Sequence, residues 1–484
     1  MLQKYFPLFF LFIFSLTYSQ NEVDALRYSL FDNHTSARTT ALGGSFSALG
    51  GNMGAIGSNP ATLATYRTNE FSISLINCNE NIKTNYLNNT TTTNRQKLTL
   101  QNIGYVQTLN LPTTDGWNRI NYAFSYNRNT DLNNFINFSG YNENSSMSNT
   151  FLNNSQGLTT DELNGFSDYL AFWTYLIDTV PVFTDDGPNT EYTSSINKIG
   201  QNQYMTIIEN GAIEEYDMSI SGAYNDFLFL GGSMTLNGIS FSQYNRYEES
   251  GFDQVENDIE SFNYNQELHV SGVGLKWKIG AIIKPSPFFR IGWAHHSKTY
   301  LDFEETYKSN MNTNFNNNES FTANSPINYF EYELTTPSKS IGSIAFVIAK
   351  KGLITVDYET INYGSSSLYS HIYSFNQENN NISNYYTRTN NTKIGLEWKM
   401  KNISFRSGYA SFGSPFRDNL NDGSKQYFSG GIGFQKGAYF IDIAIINCLK
   451  KEDYILYNDP NESMQIANTE QKQQTLIISC SYKF

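Results

Sequence analysis

From Glu70 to the end of the chain, apolar and polar residues alternate in short stretches, and this two-residue period recurs about fourteen times. The final stretch is the clearest: Leu476, Ile478, Cys480, Tyr482 and Phe484 share one face, while Ser479, Ser481 and Lys483 share the other. Successive side chains of a strand point to opposite faces, so the pattern belongs to a sheet with one oily and one wet side. The stretches begin near Glu70, Leu98, Asn118, Ala212, Phe227, Phe262, Phe288, Asn328, Gly352, Tyr385, Asn402, Ser424, Ala438 and Glu470.

Their connections alternate in length. Pro112 to Gly116, Asn225-Asp226, Lys284 to Pro287, Lys350 to Gly352, Lys401-Asn402 and Lys436-Gly437 are tight. Asn79 to Lys97, Ser309 to Pro326, Gly364 to Asn384 and Asp453 to Thr469 read as long polar loops. Short turns on one rim and long loops on the other predict an all-β fold, a transmembrane antiparallel barrel of about 14 strands. An even strand count leaves both chain ends on the turn side.

Charge assigns the faces. Lys or Arg on a barrel's lipid face costs about 2–4 kcal/mol at mid-bilayer, enough to fix each register. Val273, Leu275 and Trp277 therefore point outward with Lys276 inward, and Ile291 and Trp293 outward with Arg290 inward. Ile394, Leu396 and Trp398 face lipid opposite Glu397; Ile403 and Phe405 opposite Arg406; Tyr439, Ile441, Ile443 and Ile445 opposite Asp442.

Composition agrees: aromatics make up 15% of residues although mean hydropathy is −0.45, as expected where only alternate residues meet lipid. A formal net charge of −13 argues against a nucleic-acid partner. Cys78, Cys448 and Cys480 are widely spaced and read as strand residues, without a disulfide or metal pattern. Lys4, the apolar run Tyr5 to Leu16 and the small residues before Gln20 read as a cleaved secretory signal over 1–19. No later run reaches the roughly 20 apolar residues of a spanning helix.

Residues 20–67 precede the first strand, and 68–484 carry the barrel. Between Thr40 and Ala64 small residues dominate, while Leu42, Phe46, Leu49, Met53 and Ile56 supply an apolar side at near-helical spacing. Such a stretch suits a compact plug inside the barrel, with Asn59-Pro60-Ala61 as its stop. The competing reading is a Gly-rich loop with a weak amphipathic helix. Between Tyr141 and Gly211 lies an insertion too long for a passive loop. There Thr159 to Glu162 has capping-box spacing, and Leu163, Phe166, Leu170, Trp173 and Ile177 recur at helical intervals, predicting a short helix over the outer mouth.

Catalytic chemistry is not visible. His295 and His296 are neighbours on a strand and point to opposite faces, so they cannot chelate one ion. Asp357 and Glu359 share a face but more simply wet a lumen. No enzyme activity, metal or cofactor is expected.

The ordered set Ala41 to Ala64 with Asn59-Pro60-Ala61, Arg290 to Ser297, Pro337 to Gly342 running into Val356 to Glu359, Lys393 to Glu397, Arg406 to Tyr409 and Ser414-Pro415 resembles the FadL/TodX family of outer-membrane transporters for hydrophobic compounds. The aromatic last residue, Phe484, is also similar to the ending that outer-membrane assembly machinery reads in such proteins. One departure is Gly50-Gly51-Asn52, where the family often has an acid; the Asn-rich runs 314–318 and 379–381 have no counterpart.

The resemblance implies a monomer in the outer membrane of a diderm bacterium, surrounded by outer-membrane lipids. Its partner would be a hydrophobic small molecule, a long-chain fatty acid first. Ligand would be captured among outer loops, enter an apolar site lined by Leu42, Phe46, Leu49, Met53 and Ile56, and leave when the hatch shifts, through a gap in the wall. Arg290 or Arg406 would meet a carboxylate, or equally would pair with lumen carboxylates such as Glu397 or Asp442 and serve stability alone. The alternative from another class is a secretion or scaffold component docking partner proteins on its loops. A haem or adhesin-like role is weaker, since paired His or Met ligands are missing from the loops.

Overall fold

The computed structural model describes residues 22–31, 34–112, 115–180, 190–349, 351–418, 423–459, 462 and 464–484. The expected signal at 1–19 lies outside the described residues. Fourteen antiparallel strands close into one barrel. They are β1 Glu70–Tyr86, β2 Asn89–Asn110, β3 Trp117–Asp131 continued by Asn134–Asn142, β4 Gln201–Tyr224, β5 Leu228–Ser250, β6 Ile259–Ser286, and β7 Phe289–His296 continued by Tyr300–Phe315. Then follow β8 Asn328–Thr335 continued by Lys339–Ile348, β9 Gly352–Asn362, β10 Arg388–Met400, β11 Ile403–Phe412, β12 Lys425–Lys436, β13 Tyr439–Tyr457 and β14 Gln465–Lys483. β1 pairs with β14 from Glu70 opposite Lys483 to Asn85 opposite Asn468. Asn69 and Phe484 exchange both backbone hydrogen bonds at 3.1 Å, so the two ends meet on the turn rim.

The expected faces hold. Trp277, Trp293, Trp398, Phe405, Ile443 and Ile478 are exposed on the outer wall, whereas Lys276, Glu397, Arg406 and Asp442 are buried within. Tight turns fall where expected; Asn225 and Asp226 both take φ of 51°, the geometry that two-residue hairpins favour. None of the described helices is long and apolar enough to cross a membrane.

Sequence expectations fail on the loop side in two ways. Asn79 to Lys97 is not a loop: β1 and β2 run on and turn at Leu87-Asn88, and the expected loops Ser309 to Pro326 and Asp453 to Thr469 are likewise mostly paired strand. Beyond the lipid belt the outer face meets water and the inner face mixes Glu80 and Thr84 with Ile82 and Tyr86, so the alternation that marks a strand is lost. Nor is Leu163 to Ile177 one helix. Asn164 Oδ1 accepts from Phe166 N at 3.0 Å and breaks the run, leaving a helix only at Asp168–Trp173. The capping pair does form, Glu162 accepting from Thr159 N at 2.9 Å, but it closes a turn.

Inside, the bore is filled in storeys. The N-terminal part supplies α1 Glu22–Arg27, α2 Ala37–Ala41, α3 Met53–Ile56 and a 3-10 turn Pro60–Thr65. The insertion between β3 and β4 supplies α4 Met147–Ser155 and α5 Asp168–Trp173, and α6 Asn376–Tyr385 lies between β9 and β10. Inward residues of β6, read from the loop rim downward, show the order. Phe262 and Tyr264 join the core under the insertion, Leu268 and Val270 join a core around α1, Lys276 and Lys278 form a polar layer, and Gly280 meets the plug.

Candidate functional site

The plug rests on glycine. Gly104, Gly231, Gly280, Gly292, Gly395, Gly408 and Gly431, on seven different strands, turn inward against residues 41–60. A β-carbon on Gly292 would stand 2.9 Å from Ser47 O, on Gly395 2.7 Å from Leu42 O, and on Gly431 2.6 Å from Ala41 Cβ. On Gly408 or Gly280 it would overlap Gly43 or Asn59 outright. Backbone thus packs on backbone, a closeness no other residue permits. Asn59 keeps the motif in shape, its Oδ1 accepting from Ala61 N at 3.0 Å and its Nδ2 donating to Ser47 O at 2.7 Å.

Charged groups tie the same body to the wall. Asp357 accepts from Ser45 Oγ at 3.0 Å, Phe46 N at 3.2 Å and Ser47 N at 3.1 Å. Arg38 donates Nε and Nη2 to Glu397 at 3.0 and 2.9 Å. Glu397 also accepts from Arg406 Nε at 2.5 Å, and Arg406 Nη1 reaches Asp442 at 2.7 Å. Arg290 donates to Leu49 O.

The expected binding residues are therefore spread out. Leu42, Phe46 and Leu49 pack with Ala345, while Met53 and Ile56 pack in a separate cluster with Val106. Arg290 holds the plug, Arg406 pairs with the wall acids Glu397 and Asp442, and a space of about 110 Å³ beside Arg38 and Arg406 opens below the plug. His296 Nε2 donates to Ser58 O at 2.8 Å, while His295 lies between Trp277 and Trp293 on the other face.

What the sequence did not reveal is the apolar chamber above the polar layer. Its wall includes Ile213, Phe241, Val270, Phe303, Phe330, Tyr332 and Ile361, and its occupant is the chain's own leading segment. Tyr28 lies 4.8 Å from the Phe303 ring, and Arg27 stacks 4.6 Å over Phe241. Ala25, Leu26, Leu30 and Phe31 complete the filling, and α6 covers it, Tyr386 donating to Glu22 O at 2.9 Å. A space of about 30 Å³ remains beside Phe31. A signal was present in the sequence: over Asn328–Thr335, Phe330, Tyr332 and Leu334 point inward while Tyr329, Glu331 and Glu333 point outward, reversing the polarity of the lipid belt.

Beside the chamber the wall loses its ladder. β2 and β3 pair only between Asn102 opposite Asn127 and Asn110 opposite Arg119. Toward the loops, side chains alone bridge the two edges. Gln101 Nε2 donates to Arg128 O at 2.6 Å, Lys97 Nζ to Asn133 Oδ1 at 2.7 Å, and Thr93 Oγ1 to Phe135 O at 3.1 Å. The leading segment stands behind this seam and touches both edges: His34 O accepts from Gln101 at 2.6 Å and Leu30 O from Thr130 at 3.1 Å.

Fold and chamber together define a class of protein, a transmembrane β-barrel closed by its own N-terminal plug. Within that class the fold is that of the FadL/TodX-type hydrophobic-compound channels. TodX, the toluene transporter of Pseudomonas putida, superposes with a TM-score of 0.53 at 13% identity, covering 93% of this chain and 99% of its own. A FadL homologue of Pseudomonas aeruginosa gives 0.58 at 12% identity, covering 93% and 98%. The toluene transporter TbuX of Ralstonia pickettii gives 0.51 at 14%, covering 93% and 99%. At such identities the likeness is one of fold. No protein-family model and no curated protein matches the sequence.

Proposed function

We propose that this protein carries hydrophobic or amphipathic small molecules across the outer membrane, long-chain fatty acids foremost, through the chamber in its bore. The observation that carries this reading is that an enclosed apolar chamber is filled by the leading segment of the same chain. A ligand that displaces residues 22–31 inherits that apolar lining, and burying each methylene is worth about 0.8 kcal/mol. Displacement also withdraws the carbonyls of Leu30 and His34 from the two edges of the seam. The ligand then leaves sideways between β2 and β3, while the glycine-seated body of the plug stays in place.

A fatty acid suits the floor better than a plain hydrocarbon does. Phe31 lies 4.9 Å from the Lys276 ammonium and 5.5 Å from that of Lys339. When Phe31 moves away, Lys276 and Lys339, which already pair with Glu215 and Glu359, face the chamber, and a carboxylate head would join that network of four lysines and three acids. Binding of radiolabelled oleate and toluene to the purified protein tests this reading, together with uptake by cells with and without the gene. Leu26→Ala with Tyr28→Ala weakens the internal occupant, raises the competent fraction and tightens oleate binding about tenfold. Unchanged affinity in that variant, or equal uptake with and without the gene, would sink the proposal.

A further inference from the structure

The chamber has a roof as well as a floor. The insertion between β3 and β4 sinks Met147, Phe151, Leu170 and Ile177 into the loop-side mouth of the bore, against Phe262 and Tyr457 of the rim. This core lies directly above the chamber, because β4 contributes Met205 and Ile207 to the upper cluster and Ile213 to the lower, and β7 contributes Met311 above and Phe303 below. A solute arriving from the loop side meets the insertion first.

It is held to the rim at more than one place: Phe166 O accepts from Tyr264 Oη of β6 at 2.7 Å and from Ser309 Oγ of β7 at 2.6 Å, and a denser set of bonds lies at the start of α4. Glu249, fully buried at the end of β5, accepts from Ser146 Oγ at 2.6 Å and Met147 N at 2.8 Å, so a rim carboxylate caps the start of α4. Gln203 Nε2 at 3.0 Å and Tyr247 Oη at 2.5 Å hold the same carboxylate from the wall side. Asn149 Nδ2 reaches Asp459 at 2.8 Å close by. Carboxylate-to-helix hydrogen bonds are strong, yet they release as a unit once the side chain turns away.

We propose that the insertion is a lid, latched by Glu249 at the N-terminus of α4, and that it must lift before a solute reaches the chamber. The proposal rests on the transport reading for its purpose, but the lid's motion can be measured without transport. In a background lacking Cys78, Cys448 and Cys480, Asn149→Cys with Asp459→Cys allows a short reducible linker to tie lid to rim, and Phe330→Cys places a reporter thiol in the chamber. N-phenylmaleimide should label the reporter at least tenfold more slowly in the linked protein, with full recovery on reduction. Equal labelling rates with the linker closed and open would overturn the lid. Glu249→Gln, which keeps the side chain's size but weakens the latch, should speed labelling several-fold without the linker; no acceleration would exclude Glu249 as the latch. Oleate uptake measured on the same cells separates the two ideas: labelling that responds to the linker while uptake is absent in every state leaves the lid standing and removes the transport reading.

Discussion

The bore is stopped twice, and the two stoppers are built differently. The plug sets backbone against wall glycines and adds an ion pair to the wall, Arg38 with Glu397, beside the wall's own pair of Arg406 with Asp442. The insertion sets side chains against side chains, and the buried carboxylates at its seat, Glu249 of β5 and its own Asp168, face hydroxyls, amides and backbone N–H groups. Contact between backbones tolerates almost no displacement, whereas an apolar side-chain core can part and re-form. The difference teaches that on the transport reading closure and gating are separate tasks: the body seated on glycine would stay, and the one seated on side chains would move.

The sharpest way to break that contrast is to crowd the plug's seat. Gly408→Val drives side-chain atoms into Gly43 and should cost about 3 kcal/mol or more, because overpacking a tight contact is itself destabilising. The expected outcome is a barrel that fails to assemble, or one whose displaced plug admits small hydrophilic antibiotics, read by heat-modifiable gel mobility and drug sensitivity. A valine tolerated without leak would mean that the plug is not fixed there.

Glu397→Gln should follow, at about 3 kcal/mol, since it takes the paired acid from Arg38 and leaves Arg406 with Asp442 alone. Chemical denaturation of the purified protein measures it, and combining it with Arg38→Met should recover part of the loss. Asp357→Asn is smaller, about 2 kcal/mol, as hydrogen bonds to a charged acceptor become ordinary ones. Faster hydrogen exchange at Phe46 and Ser47 would report it.

The smallest effect belongs to the lid. Burial pushes the Asp168 carboxyl up to about 6, against about 3.9 for a free aspartate. The seated lid therefore holds its proton longer than the lifted one, and the stability of seating is lost as pH rises from about 4 to about 6. Hydrogen exchange across α4 and α5, corrected for intrinsic rates, should be slower at pH 5 than at pH 7.5, and Asp168→Asn should flatten that dependence.

How much of this was legible depended on where lipid lies. Within the belt a misplaced Lys276 or Arg406 is penalised so heavily that alternation alone gave strand, face and register. Above it the penalty vanishes, and Thr90 to Asn94 could be read as a loop although they are laddered to β1. The plug's presence and its Asn59-Pro60-Ala61 stop were readable from small residues and local turn chemistry. The chamber was not, because its lining comes from separate strands and its occupant, Ala25 to Phe31, has no pattern that points to the wall it meets. Arg290 and Arg406 carry two readings in sequence, ligand contact or partner of a lumen acid; Arg406 pairs with the expected acids Glu397 and Asp442, whereas Arg290 meets the Leu49 carbonyl of the plug, a partner that no pattern marks.

The pairing of the first strand with the last also dictates an order of events. Glu70 cannot find Lys483 until the final residues have been synthesised and exported, so for most of its early life the sheet is an open ribbon with two unsatisfied margins. The stopper fits without clearance and must be in position as the ribbon curls, which makes it a mandrel on which the cylinder takes its bore.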